Sequence, residues 1–313
     1  KWWITETGVD GYRLEGIQLT DKDFLQSFVD SVKETDNEFF VLGEVWSTDP
    51  QEIAKYEMTG IDSLTDYAST SNIREAFVKP DVSMTDTIGD IENNIDTYEE
   101  PNMVTRLIDS KDMIRFTNQP VALNEHPGPR WRTALTYLFT TPGIPMLYYG
   151  SEIALIGNET PDNRRQMDFR TDPELIEYIG QLTKAREKLP SIAKGDFTLL
   201  HESEGFTVFK RQFKEETSIV AINNTSGTKD LVLTGEEIEN DKELRGLLAG
   251  GLVRSNDQNE YHLVLDREEA EIYVLTEKQG FNFVYGATLL SVLLAFFAFL
   301  FLARRRGRNR TGE

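Results

Sequence analysis

The chain has 313 residues, no cysteine and a formal net charge of −20 at neutral pH. That length holds one large domain and a smaller one, and the lack of cysteine excludes disulfides, thiolate metal sites and cysteine nucleophiles. The acidity excludes a nucleic-acid binder, which needs clustered Lys and Arg to meet phosphate, and reads instead as a solvated surface.

The first residues, Lys1-Trp2-Trp3-Ile4, carry no signal-peptide pattern, and the chain reads as the C-terminal portion of a longer protein. The run Gly8-Val9-Asp10-Gly11-Tyr12-Arg13-Leu14-Glu15-Gly16 predicts a short buried strand ending in an arginine and a carboxylate. Arg13 and Glu15 are two apart, so both leave the same face. A structural ion pair and a substrate clamp both fit that stretch. Thr20 and Asp23 then form a capping box for a helix to about residue 33, with Phe24, Phe28, Val29 and Val32 on its apolar face. Residues 39–46 predict a buried strand that holds Glu44. A helix over 49–56, a strand over 60–66 and a polar helical stretch over 71–97 follow. Residues 103–109 predict a strand ending in Asp109. A helix over 130–139, a strand over 143–150 and a helix over 174–189 complete this part.

Alternating strands and helices mean a parallel sheet with helical crossovers. Three strand ends carry Glu15, Glu44 and Asp109, and in a barrel such ends converge on one face. From about residue 192 short runs alternate with turn residues: 206–213, 218–223, 229–233, 261–265 and 271–275. They predict a small antiparallel domain. Residues 283–303 hold no charge, and as a helix they span roughly 31 Å, the thickness of a bilayer core. Five arginines follow within 304–313. The positive-inside rule makes that tail cytoplasmic and everything before the span external.

GVDGYRLEG, VLGEVW, MVTRLIDSKDM, TTPGIPMLYYGSEIAL and PDNRRQMDF, in this order and spacing, resemble the strand-four, strand-five, strand-seven, strand-eight and following-loop segments of the α-amylase family of glycoside hydrolases. The resemblance implies the C-terminal part of a (β/α)8 TIM barrel over 1–190 (strands four to eight) and an antiparallel β-sandwich over 191–277; the uncharged run adds a transmembrane helix over 283–303 and a basic tail over 304–313. Half a barrel leaves sheet edges unpaired, so residues 1–190 alone are expected to be unstable. The resemblance also implies a retaining glycosidase of α-glucans, which the C-terminal span would hold at the outer membrane face. In that family Glu15 takes the nucleophile position, Glu44 the acid/base position, Asp109 would stabilise the transition state and Arg13 would orient the nucleophile. Lys111, Asp112 and Arg164 are the further substrate contacts. Glu44 is expected to have a raised pKa in a pocket walled by Val45 and Trp46.

The chain departs from the family's pattern at Glu15, where the family has Asp, at Ser110-Lys111, where Asn-His precedes the last Asp, and at Leu19, often His. These departures motivate the alternative of a glucan-binding protein without turnover. No cofactor is assignable; calcium, by resemblance, belongs to the part N-terminal to this chain. The partners implied are an α-glucan and, through the C-terminal helix, a membrane. Trp2, Trp3 and Trp46 suit sugar stacking or packing equally, Trp131 suits the core, Asp62 and Asp66 suit the barrel interior, and Arg130 and Arg132 read as a solvated helix face. His126, His201 and His262 fall outside every motif and read as structural.

Overall fold

A computed structural model describes residues 1–278 and a helix over Phe283–Arg310, whose side chains are described over 287–302. Lys1–Thr276 is one compact unit and Glu277–Glu313 a second.

In the first unit β1 (Gly11–Leu14), β2 (Phe40–Gly43), β3 (Ser63–Asp66), β4 (Thr105–Leu107) and β5 (Ile144–Met146) pair in parallel in chain order. Parallel neighbours need crossovers. Here these are built from α2 (Lys22–Lys33), α3 (Pro50–Ala54), α4 (Thr70–Phe77), α5 (Thr85–Thr97), α6 (Asn118–Ala122) and α7 (Pro127–Thr140), with α1 (Trp2–Thr7) ahead of β1. All five strands run the same way, so their C-terminal ends share one rim. The sheet is open, with β1 and β5 at its edges.

Several local readings need correction. α1 has no counterpart in the predicted elements, and its Trp2 and Trp3 are exposed, packed edge to face on each other. The cap of α2 is Asp21, whose carboxylate accepts from the N–H groups of Asp23 and Phe24. The buried stripe of α2 is Leu25, Val29 and Val32, and Phe24 points to solvent. The stretch over 71–97 is two helices because Pro80 lacks the N–H that a continuous helix needs and Asp81 adopts a left-handed φ of 61°. Arg130 is 0% exposed, paired with Glu268 at 2.7 Å and donating to Asn224 at 2.6 Å. Only Arg132 belongs to a solvated face; it pairs with Glu174 and lies over the Tyr178 ring. Asp66 is buried, accepting from Ser69 and Asn94, whereas Asp62 pairs with Lys33.

After α8 (Glu174–Lys188) and α9 (Pro190–Lys194), eight strands follow. They are β6 (Asp196–Ser203), β7 (Phe206–Phe213), β8 (Glu216–Asn223), β9 (Lys229–Thr234), β10 (Lys242–Gly246), β11 (Leu252–Arg254), β12 (Glu260–Leu265) and β13 (Ala270–Glu277). They form a sheet of order β11-β10-β13-β8-β7-β6 and a second, β12-β9. Leu233, Tyr261 and Leu263 of one sheet pack on Phe206, Val208, Ile219 and Ala221 of the other, which is the sandwich. β6, β10 and β11 escaped the sequence reading. β6 and β11 are edges, and β10 (KELRG) is mostly charged, so none shows an apolar alternation.

β8 is apolar on both faces because each face meets a different layer. Ile219 and Ala221 enter the sandwich core, while Val220 and Ile222 pack among the same buried residues as Trp131, Leu135 and Leu182 of α7 and α8. Fully burying side chains of this size is worth about 1.5–3 kcal/mol each. A single apolar core therefore crosses residue 190.

In the second unit α10 (Phe283–Arg310) presents exposed Leu and Phe all round over 287–302. Among the described residues no helix is long and apolar enough to cross a membrane. The side chains of 283–286 and 303–313, including the tail arginines, lie outside the described residues.

Candidate active site

The strand rim places one functional side chain after another. Glu15 follows the last residue of β1, Glu44 follows β2, Tyr67 follows β3, and the loop after β4 carries Lys111 and Asp112. Gly11 lets β1 approach β2: a Cβ there would stand 2.5 Å from the Phe40 carbonyl oxygen. That close pairing brings Arg13 beside Glu44.

A ladder of alternating charge crosses the rim. The Arg13 guanidinium donates to Glu44 Oε2 at 2.7 Å and lies 3.6 Å from Glu15. The Lys111 ammonium lies 3.5 Å from Glu15 and donates to Asp112 at 2.6 Å. Arg164 lies 3.5 Å from Asp112 on its far side and donates to the Lys111 carbonyl. Six of the seven site residues read from the sequence thus meet in one cluster: Arg13, Glu15, Glu44, Lys111, Asp112 and Arg164. The arginine expected to orient Glu15 holds Glu44 more closely.

Glu44 is 0% exposed. Tyr67 donates to its Oε1 at 2.7 Å, and so does the Trp46 indole N–H at 3.1 Å. Burial pushes the carboxyl up, but the hydrogen bonds from Tyr67 and Arg13, the Arg13 charge and the Trp46 N–H outweigh it, so its pKa is lowered. This corrects the expected rise: apolar walls are present, but three donors reach the carboxylate. Tyr67 is pushed up by burial and by its bond to Glu44, and Lys111 is raised by its bond to Asp112.

Asp109 is the exception. Its side chain is 1% exposed and faces away from the cluster into a buried pair of arginines, Arg74 at 3.2 Å and Arg115 at 3.6 Å. It also accepts from the Phe116 N–H and the Ser151 hydroxyl. The expectation that Asp109 sits in the cleft is therefore corrected: it is a buried brace under the β4 loop.

A cleft of about 740 Å³ opens beside the ladder, lined by Trp46, Ser47, Thr48, Tyr67, Asp112 and Met113. Thr48, Tyr67 and Met113 also line an adjoining hollow. Arg115 stacks under Tyr148 at 4.1 Å. Tyr67 escaped the sequence reading, although it follows a strand end just as Glu15 and Glu44 do.

Residues 195–273 match the model of the α-amylase C-terminal domain. The chain is 29% identical over 262 residues to the beta/alpha-amylase of Paenibacillus polymyxa, covering 82% of this chain and 21% of the relative. It is 30% identical over 231 residues to a cyclomaltodextrin glucanotransferase of Paenibacillus macerans, covering 72% and 31%. An α-amylase crystal structure from Anoxybacillus superposes with a TM-score of 0.86 at 48% identity, covering 90% of this chain and 62% of that one. The chain belongs to the α-amylase family. An α-amylase from Geobacillus thermoleovorans, complexed with acarbose, superposes with a TM-score of 0.86 at 46% identity and is 62% covered. The chain thus spans less than two thirds of each of these relatives. Set on the α-amylase frame, the acid that follows Ser110-Lys111 is Asp112, the residue that lines the cleft.

Proposed function

We propose that this α-amylase-family chain supplies the C-terminal half of an active site that hydrolyses α-glucans such as starch and maltodextrins with retention. Glu15 is the nucleophile, Glu44 the acid/base, and Asp112, in place of Asp109, steadies the positive charge of the transition state. One observation carries this: a single Arg13 guanidinium contacts both Glu44 and Glu15, at 2.7 and 3.6 Å. Two carboxyl groups joined by one guanidinium suit the short separation of retaining enzymes, about 5–5.5 Å. Trp46, 59% exposed on the cleft wall, offers a face for a sugar ring.

A second reading, glucan binding without turnover, is favoured by Lys111. Its ammonium contacts both Glu15 and Asp112 and offsets their charge. Lys111→His and Glu15→Asp variants of the full-length protein, beside wild type, decide between them on starch and a chromogenic maltooligosaccharide. Wild-type hydrolysis abolished by Glu44→Gln supports the enzyme. Inert wild type that binds glucan and is revived by the two substitutions supports the binder.

Among the described residues no three His, Asp or Glu side chains converge to hold a metal ion. The calcium implied by resemblance has no ligand set among them, and no step passes through it. For location, we propose that 283–303 anchors the protein with its cleft outside the cell. The support is an uncharged run closed by arginines. Resistance of the protein to carbonate extraction tests the anchor, and protease access in intact cells tests the orientation.

A further inference from the structure

We propose that Tyr67 is a positioning residue for Glu44, its hydroxyl committing Glu44 Oε1 to the role of acceptor. The inference rests on the role given above to Glu44. Glu44 Oε1 receives two donors, Tyr67 Oη at 2.7 Å and Trp46 Nε1 at 3.1 Å, while Oε2 receives Arg13 at 2.7 Å. An indole N–H never accepts, so Trp46 keeps Oε1 an acceptor. A tyrosine hydroxyl can turn and accept. Here it donates to Glu44, and the Ser110 hydroxyl favours the ionised Tyr67 oxygen. Ser110 Oγ in turn accepts from the Asp112 N–H at 3.2 Å.

The consequence is a choice of oxygen. With Oε1 committed to two donors, a proton taken up by Glu44 resides on Oε2, on the side of Arg13 and Glu15. That is the side on which a leaving oxygen must lie if Glu15 is to attack the same sugar. Arg13 must move off Oε2 when this proton arrives, and Glu15, 3.6 Å from the guanidinium, can receive it. The charged groups that face Glu44 are Arg13 and, beyond it, Glu15 from β1, Tyr67 from β3 and Lys111 from the β4 loop.

The test follows Glu44 by two routes on the full-length protein. One is the pH profile of kcat/KM. The other is the pH titration of Trp46 fluorescence, isolated by subtracting the matching Trp46→Phe protein, which needs no turnover. Tyr67→Phe removes one donor to a carboxylate, so both the titration midpoint and the alkaline limb move up by about one pH unit. Ser110→Ala removes a hydroxyl that favours the ionised Tyr67 oxygen, weakens Tyr67 as a donor to Glu44, and moves both the same way by less. A Tyr67→Phe protein that melts as wild type does but leaves the fluorescence titration in place, or moves it down, overturns the proposal. If Tyr67→Phe does not fold, an unmoved titration in Ser110→Ala overturns it. An inactive wild type whose Trp46 titration still shifts in Tyr67→Phe refutes the hydrolase reading alone and leaves the role of Tyr67 standing.

Discussion

Changing Asp109 to asparagine puts the division of labour on the β4 loop to a direct test. The amide has nearly the size of the carboxylate, so no cavity opens. What disappears is the charge that offsets two buried guanidinium groups, Arg74 at 3.2 Å and Arg115 at 3.6 Å. The Phe116 N–H, 2.6 Å from the same carboxylate, keeps an amide oxygen as acceptor. Removing one partner of a buried ion pair costs about 3–5 kcal/mol. At roughly 2–4 °C per kcal/mol for a chain this large, the thermal midpoint falls by about 10 °C. Asp112→Asn removes a charge that is 43% exposed, and its pairs with Lys111 and Arg164 are of the exposed kind, worth under about 1 kcal/mol. Scanning calorimetry of the three full-length proteins, beside hydrolysis of maltoheptaose, reads both effects. Asp109→Asn should melt early, whereas Asp112→Asn should melt with wild type and lose turnover. An Asp109→Asn protein as stable as wild type but inactive would refute the reasoning, because it would return Asp109 to the cleft.

Gly11→Ala places a Cβ 2.5 Å from the Phe40 carbonyl oxygen; it should cost about 1–3 kcal/mol in a denaturant melt and weaken maltooligosaccharide binding by calorimetry, because Arg13 rides on β1. Glu268→Gln leaves the Arg130 guanidinium buried with Asn224 as its remaining partner and should cost about 2 kcal/mol, less than a fully buried pair because Glu268 is partly exposed; an unchanged denaturation midpoint would contradict this. Glu44 gives a pH signature. Its folded pKa lies below the ordinary 4.5, so it adds stability above its unfolded value and loses that stability as pH falls through the folded one. The gap in melting temperature between wild type and Glu44→Gln should therefore shrink on acidification below pH 4.5, and a gap that widens would reverse the sign of the shift.

Strand and helix alternation, the apolar stripes and the strand-end acids were legible because each is a short-range pattern. Periodicity marks which residues face a core, and a strand that stops at an acid marks a rim. Asp109 and Asp112 show where this fails. Both follow β4 and both are acids, and their spacing does not say which one turns inward. The decision belongs to Arg74 on α4 and Arg115 further along the loop, which meet only after folding and draw Asp109 between them. Arg130 fails for a related reason. A lone arginine on a helix reads as solvated, and its burial depends on Asn224 and Glu268 from the sandwich.

The linear order of residues alone determined that parallel strands would line up, that Glu15 and Glu44 would end on one rim, and that a small antiparallel domain would follow. Those follow from local periodicity and from the single direction in which parallel strands run. Tertiary structure alone decided that Asp112 lines the cleft, that Arg13 holds Glu44 more closely than Glu15, and that Tyr67, Arg13 and Trp46 draw the Glu44 carboxyl below its ordinary pKa. Each of these depends on donors from different strands reaching one carboxylate, and distance in space is not written in distance along the chain.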